Sequence, residues 1–439
     1  MTQAWHALTA TVGGEGARFL FAGYGVAAAF FAGKTYASAP AELLTAPGAW
    51  VLHGWALSAL VAAIVGPRRG LLGLTALLAI RAVVSNHLVD EPLLWFPAAE
   101  WPLFVALPLV GALARDDDEV IGGFRIAAVA ALFFAGLHKI NADYFDPVVS
   151  CHRLSARLST WWALPEVTHA WVTPHVVVAL EIGTPLLLLL APRAGVLLAL
   201  LMLSHFVSIG ATALSTVIAV SCLAFLHDSD RRALVSAWPL ALVPAAAGVV
   251  ASGLLYQGPW SWPQYGACHG LFAAMISGAA WRLWVAGPGV RTGVRLRRPL
   301  LAVAAVAWLL NGLAPYSGLK FQYSFAMLSN LRVDDDRHNA WLFPSALRLR
   351  HDPYVHVRSA TYRRAATGQP LSGGYVQPDL WTPGALVEQL DKAEQIGEVL
   401  SLRGTWGGRE ITEADLRGLP PAPLFQHRLT LAAPQQCVH

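Results

Sequence analysis

Three basic sites in this sequence lie at the ends of long apolar runs or inside them. His87 follows one run, the pair His138-Lys139 closes another, and His205 lies inside a third with only serines as polar neighbours. Burial disfavours the charged form of an amine, so a lysine held partly out of water can act as a general base or nucleophile. We therefore predict acid–base chemistry at Lys139, assisted by His87, His205 and His138. The alternative for Lys139 is electrostatic, because a helix dipole favours a cation at its C-terminus.

The elements that carry these residues must be membrane helices, because the composition suits no soluble protein. The chain has 439 residues, of which 55% are hydrophobic and 13% are charged, and its mean hydropathy is +0.49. A typical soluble domain is about 25% charged. The composition therefore excludes a soluble enzyme, a disordered chain and a nucleic-acid-binding protein. The four cysteines lack the spacing of a zinc site, so no metal is predicted.

Long apolar stretches recur along the chain, and a membrane helix needs about 20 such residues. The stretch from Gly195 to Leu226 is too long for one helix, and we expect it to break at Ser208-Ile209-Gly210. The pattern predicts an all-α polytopic membrane bundle of about nine to eleven segments. The predicted segments start near Ala17, Trp50, Leu71, Trp101, Phe124, Ala170, Gly195, Ala233, Gly270 and Pro299.

Two further charges interrupt the apolar runs. Glu181 sits more than one turn from either end of its run, and Arg81 lies in an earlier one. A charge inside the membrane costs at least about 2.5 kcal/mol, so it needs a partner, a water-filled cavity or a function. We predict that both bind the substrate. Arg282 lies near a helix end, where its side chain is expected to reach the interface.

The arginines predict how the chain is oriented in the membrane. They lie in every second loop between the predicted helices, and cytoplasmic loops are rich in Lys and Arg. If the Gly195–Leu226 stretch crosses twice, all of these loops lie on the cytoplasmic side. The chain is then a multi-pass protein of the cell inner or plasma membrane with an extracytoplasmic C-terminus. This topology places His87, Lys139 and His205 at a similar depth on the extracytoplasmic side.

The composition becomes polar after Pro315, so we divide the chain into a transmembrane domain, 1–318, and a small extracytoplasmic α/β domain, 319–439. The stretch from Glu398 to Thr412 predicts a β-hairpin with a Gly-Gly turn. Residues 385–395 have the composition of a helix.

Four motifs resemble one family in the expected order. Gly136-Leu-His-Lys-Ile-Asn-Ala-Asp-Tyr-Phe is similar to the central motif of the vitamin K-dependent γ-glutamyl carboxylases and their bacterial HTTM (horizontally transferred transmembrane) relatives. Ser85-Asn86-His87 and Ser204-His205-Phe206 resemble the family's two histidine segments. The stretch from Pro315 to Arg332 resembles the segment beyond the last helix.

The resemblance implies an oxygenase that deprotonates a reduced quinone, reacts it with O₂ and forms an epoxide, with no metal. Lys139 is the implied base, and His87 and His205 assist it. We expect Asn86, Asn141 and Asp143 to bind the substrate. The resemblance further implies proton abstraction from a second substrate, a small molecule or peptide, and its carboxylation by CO₂. The short C-terminal domain and His138 at the first position of the basic pair depart from the family, and both weigh against peptide carboxylation.

Two other functional classes fit the same residues. In a transporter or a membrane scaffold, Glu181, Arg81 and the histidines would form a proton or substrate path, or join helices, without hydroquinone chemistry. A haem-binding electron carrier needs paired histidines at matched depths, and the spacing disfavours it. Cys151 has two candidate disulfide partners on the outer side, Cys268 and Cys437.

Overall fold

The structure is a computed structural model, and two compact units divide the chain. It describes residues 14–38, 49–88, 100–152, 173–208, 211–255, 262–290, 296–319, 324–325, 329, 331–332, 338–349, 354–371, 376, 378–420 and 429–430. The first unit comprises residues 1–137 and 152–312, and the second comprises residues 138–151 and 313–439. The larger segment of the second unit begins at residue 313, close to the predicted domain boundary at 319. The second unit also includes residues 138–151, which were predicted to belong to the transmembrane domain.

Most of the described residues are helical, and a small antiparallel sheet lies near the C-terminus. The helices are α1 (Glu15–Ser38), α2 (Ala49–Val65), α3 (Arg69–Leu88), α4 (Trp101–Leu113), α5 (Asp117–His138), α6 (Ala142–Phe145), α7 (Pro174–Leu190), α8 (Pro192–Ser208), α9 (Thr212–Leu223), α10 (Asp228–Ser236), α11 (Trp238–Leu255), α12 (Trp262–Ala286), α13 (Pro299–Leu313) and α14 (Pro383–Gln395). The predicted break is confirmed, because α8 ends at Ser208 and α9 begins at Thr212.

Two of the described helices are long and apolar enough to cross a membrane, Glu15–Gly33 and Asp117–His138. A third span is present if the bent pair Asp228–Ser236 and Pro239–Leu255 crosses as one. Six shorter apolar helices accompany them: Trp50–Val65, Trp101–Leu113, Pro174–Leu190, Pro192–Ser208, Thr212–Leu223 and Pro299–Leu313. Membrane association is therefore supported, whereas the predicted nine to eleven segments stay a prediction.

Helices α1, α2 and α4 of the first unit meet in an aromatic cluster. Trp55 and Phe104 lie 4.7 Å apart between ring centroids, and Phe31 contacts both edge-on. The Trp55 indole donates to the Tyr24 hydroxyl at 3.3 Å, and this hydroxyl donates to the Phe104 carbonyl at 2.8 Å. Each such ring pair adds about 0.5–1.5 kcal/mol beyond its buried area, so the cluster fixes how these helices pack.

Arginines bind the C-terminal carbonyls of several helices at one end of the first unit, which we call the arginine end. Arg69 donates to the Ala114 carbonyl after α4, and Arg125 to the Ala224 carbonyl after α9. Arg193 donates to the Ala286 carbonyl at the end of α12. Cations at these carbonyls complement the helix dipoles.

Asp230 joins two of the arginines at this end. It lies 2.9 Å from Arg193 and 2.6 Å from Arg282, and its side chain is 2% exposed. Arg282 does not simply reach toward the interface, as the sequence suggests, because the buried carboxylate on α10 binds its guanidinium. A buried charge is tolerated when it is paired in this way.

The second unit contains a sheet in the order β5-β4-β1-β3-β6, with β2 paired to β1. Its strands are β1 (Val355–Arg364), β2 (Pro370–Leu371), β3 (Leu380–Trp381), β4 (Glu398–Trp406), β5 (Arg409–Thr412) and β6 (Leu429–Thr430), and all pairs are antiparallel. The predicted hairpin is confirmed, since β4 and β5 meet at Gly407 and Gly408, both at positive φ. The predicted helix is also confirmed as α14, which packs Leu386 and Leu390 into the core of this unit.

Candidate functional site

The second unit holds the His138-Lys139 pair through contacts to residues far away in sequence. His138 is fully buried, with Nδ1 3.0 Å from the Tyr316 hydroxyl and Nε2 2.9 Å from the Ser324 carbonyl. A carbonyl only accepts, so we assign the proton to Nε2 and let Nδ1 accept from Tyr316. Burial raises the pKa of the Tyr316 phenol above its ordinary value, which keeps this donor protonated. Both ring nitrogens are thus occupied by protein groups.

Lys139 follows directly and is buried, with 5% of its surface exposed. Its Nζ lies 6.0 Å from the centroid of the Tyr144 ring, at the outer limit of a cation–π contact. The Ile140 carbonyl accepts from the Trp341 amide at 3.4 Å, so the C-terminal part of the chain also holds this backbone. The amine therefore lies in a largely water-excluded setting beside an aromatic ring.

Asn141 organises the turn that follows Lys139. Its amide group donates to the carbonyls of His138 at 2.8 Å and Ser329 at 2.6 Å. Its side-chain oxygen accepts from the Tyr144 amide at 2.9 Å, which caps α6, and from Asn339 at 3.3 Å. Two donors and two acceptors are the full capacity of an asparagine side chain. Asn141 therefore organises this turn, and its predicted role in substrate binding stays a prediction.

Asp143, two residues after Asn141, forms an ion pair with a residue far away in sequence. It lies 3.3 Å from the guanidinium of Arg332, which is buried. The Arg332 amide donates in turn to Asn339 at 2.8 Å. Asp143 is thus committed to a protein partner, although 19% of its side chain is exposed. We call residues 138–143, with these contacts, the Lys139 segment.

The other predicted site residues belong to the first unit. Glu181 on α7 is 1% exposed, and a Cβ added at Gly136 of α5 would lie 3.0 Å from the Cβ of Glu181, so the two helices pack closely there. His205 is half-buried on α8 and contacts the Phe206 ring, whereas Arg81 is exposed on α3. Asn86 and His87 lie on α3, and their side chains are outside the described part of the chain.

Lys139 and His138 therefore belong to one unit, and Arg81, His87, Glu181 and His205 to the other. The contacts given above bring together His138, Lys139, Asn141 and Asp143. A common cavity for His87, Lys139 and His205 stays a prediction. Among the described residues, no group of three or more His, Cys, Asp or Glu side chains is placed to hold a metal ion.

One half-buried histidine, His269, is not among the residues predicted from the sequence. His269 on α12 lies 3.2 Å from the Ser208 hydroxyl of α8 and 3.4 Å from the Ser252 hydroxyl of α11. It therefore joins three helices. The apolar run was expected to start near Gly270, which left His269 in the preceding loop, but α12 begins earlier, at Trp262.

The predicted cysteine pairing has one clear outcome. Cys151 is disulfide-bonded, whereas Cys268 is a free, buried thiol, so a bond between these two is excluded. Cys268 instead lies 3.5 Å from the Thr216 hydroxyl. Cys437, the other candidate partner, lies outside the described residues.

Comparison with known proteins returns no relative. No protein-family model, no curated protein and no solved structure matches the chain.

Proposed function

We propose that the chain is a polytopic membrane oxygenase in which Lys139 deprotonates a reduced quinone. The observation that carries the proposal is the burial of Lys139 at the end of α5, an apolar helix long enough to cross a membrane. A buried amine beside an aromatic ring is one of the settings in which proteins place a general base. The motif resemblance in the sequence supports the same assignment.

The residues around Lys139 fit a flat, apolar co-substrate better than a metal or a charged cofactor. The Tyr144 ring beside the amine offers an aromatic face, and the polar groups of Asn141 and His138 are used within the protein. The hydroquinone supplies the electrons that reduce one O₂ to the epoxide oxygen and one water. Lys139 accepts a phenolic proton, and the protein excludes bulk water from the amine.

Within this proposal His138 positions Lys139 and does not transfer protons. Its ring could act as an acid or a base only by breaking the bond to Tyr316 or to Ser324. The catalytic assistance expected from His87 and His205, and a second substrate that would be carboxylated by CO₂, are retained as parts of the proposal.

The chemical test is incubation of the purified protein with reduced naphthoquinone under anaerobic conditions, followed by ¹⁸O₂. We expect a quinone epoxide that carries one ¹⁸O atom, detected by mass spectrometry, and no epoxide without protein. An equal yield with boiled protein contradicts the proposal. A transporter or scaffold, which the burial of Glu181 between two helices also suits, predicts no protein-dependent epoxide.

We further propose that the arginine end faces the cytoplasm and that the second unit is extracytoplasmic, in an inner or plasma membrane. The support is the gathering of Arg69, Arg125, Arg193 and Arg282 at one end of the first unit. A periplasmically active reporter fused after Val438 should be active, and a cytoplasmic reporter at the same position should be silent. The reverse pattern contradicts this orientation.

A further inference from the structure

At the arginine end, a polar cleft adjoins an apolar groove. The cleft, about 990 Å³, is lined by the start of α1, the start of α5 and helix α10. The groove, about 450 Å³, runs between α10, α11 and α12. Phe19 and Val235 line both, so the two spaces are neighbours. A charged space beside an apolar one matches the chemistry of an amphiphile.

The charges of the cleft divide into engaged and available groups. Arg231 is paired with Asp228 and donates to the Leu226 carbonyl, and Asp117 accepts from the Ala17 amide at 2.8 Å. These groups stabilise the protein itself.

The available charges are two cations and one anion. Within the part of the chain that the structure describes, Arg18, Arg232 and Glu15 form no ion pair, and all three are exposed. An arginine fork suits a phosphate, and a carboxylate suits an ammonium that carries N–H donors. This set matches a zwitterionic head group better than a purely anionic one.

We propose that the cleft and the groove together bind a phosphatidylethanolamine molecule of the surrounding bilayer. Arg18 and Arg232 bind its phosphate, Glu15 binds its ammonium, and an acyl chain occupies the groove lined by Ala241, Met275 and Trp281. The site rests on the proposed membrane setting and is independent of the hydroquinone reaction.

The test is native mass spectrometry of the delipidated, detergent-solubilised protein with equal amounts of phosphatidylethanolamine, phosphatidylcholine and phosphatidylglycerol that carry identical acyl chains. We expect phosphatidylethanolamine adducts to exceed each of the others by about tenfold, because charge-assisted hydrogen bonds are lost in both competitors. Phosphatidylcholine lacks the N–H donors, and phosphatidylglycerol lacks the cation. Equal binding of the three lipids, or preference for either competitor, overturns the proposal.

Matched variants assign the preference to this site. Arg18→Gln combined with Arg232→Gln should weaken phosphatidylethanolamine binding about tenfold, whereas Arg297→Gln, an exposed arginine outside the cleft, should leave it unchanged. Ala241→Trp should block the groove, and Ala247→Trp, exposed on the same helix, should not. If the control variants lower binding as much as the site variants, or if the site variants bind like the wild type, the site is wrong.

Discussion

The imidazole of His138 and the phenol of Tyr316 are 178 positions apart in the chain, yet they share a hydrogen bond of 3.0 Å. The phenol also stacks on Phe343, with ring centroids 4.0 Å apart. Because His138 directly precedes Lys139, this pair ties the candidate base to residues beyond α13. The chemistry proposed for Lys139 therefore depends on the C-terminal unit as well as on α5.

The first prediction concerns Tyr316. Tyr316→Phe removes the hydroxyl and leaves Nδ1 of the buried His138 without its donor. We expect a loss of about 1–3 kcal/mol in the free energy of unfolding, the usual cost of an unsatisfied buried polar group. Chemical denaturation of the purified protein measures it. Ser345→Ala, at an exposed position in the same unit, should change stability by less than about 0.5 kcal/mol. A Tyr316→Phe protein as stable as the wild type would show that this bond contributes nothing.

The second prediction tests the close packing of α5 against α7. A Cβ at Gly136 would lie 2.7 Å from Cγ1 of Ile182, so Gly136→Ala should destabilise the protein by about 1–3 kcal/mol. Gly183→Ala is the matched control on α7, because a Cβ there meets nothing within 4 Å. We expect it to stabilise by about 0.5–1 kcal/mol through helix propensity. Thermal unfolding compares the two, and equal shifts of the same sign would contradict the packing.

The third prediction concerns the buried carboxylate of α10. Asp230→Asn leaves Arg193 and Arg282 without their shared anion, and breaking such a buried pair costs about 3–5 kcal/mol. Asp228→Asn, two residues earlier and 56% exposed, should cost less than about 1 kcal/mol. Unfolding in denaturant measures both. Similar losses for the two variants would mean that burial does not set the strength of this network.

The fourth prediction is a pH dependence of the C-terminal sheet. Hydrogen bonding from the Thr412 amide is the largest cause that lowers the pKa of Asp415 below its ordinary value of 3.8, with Arg409 contributing. A carboxyl group whose pKa is lower in the folded state than in the unfolded state stabilises the fold at pH values above its unfolded-state pKa. This stabilisation is lost as the pH falls through the folded-state pKa. We expect hydrogen exchange of β5 to accelerate as the pH falls below 3.8, after correction for intrinsic exchange. Asp415→Asn should abolish this component, whereas Glu398→Gln should retain it. An unchanged acid dependence in Asp415→Asn would assign it to another group.

The helices and the hairpin could be predicted because their signals are local. Apolar runs locate the starts of α1, α2, α3, α4, α7, α8 and α13 within a few residues, and Ser208-Ile209-Gly210 correctly marks the end of α8. Helices α5 and α12 begin seven and eight residues before the predicted starts, and the short α6 and the polar α10 were not predicted. Gly407 and Gly408 supply the positive φ values that the β4–β5 turn requires. Each of these features depends on neighbouring residues alone.

The organisation of the candidate site could not be predicted in the same way. The sequence presents His138 as the basic partner of Lys139, but its bonds to Tyr316 and Ser324 arise only from long-range packing. The same holds for Asn141, whose four hydrogen bonds include partners at Ser329 and Asn339. The sequence placed Cys151 and Cys268 on the same side of the membrane and so allowed a disulfide between them. The folded chain instead buries Cys268 as a free thiol, while Cys151 is disulfide-bonded.

The central claim is that Lys139 acts by proton transfer, and the Lys139→Arg variant tests it most directly. Arginine keeps the positive charge but does not deprotonate in a protein, so the variant should insert normally yet lose epoxide formation. A positioned base contributes about 10²–10⁴-fold, and the loss of rate should fall in that range. Lys392→Arg, an exposed lysine paired with Glu388 on α14, is the matched control and should retain full activity.

The measurement is the initial rate of ¹⁸O-epoxide formation from reduced naphthoquinone, with Lys139→Ala alongside. Exogenous primary amines should partly restore the alanine variant, because they supply the missing base, and higher pH should not restore the arginine variant. We expect Lys139→Arg to be inactive and Lys392→Arg to be active. Full oxygen-dependent turnover by Lys139→Arg would contradict it and would leave Lys139 as a charge that complements the end of α5.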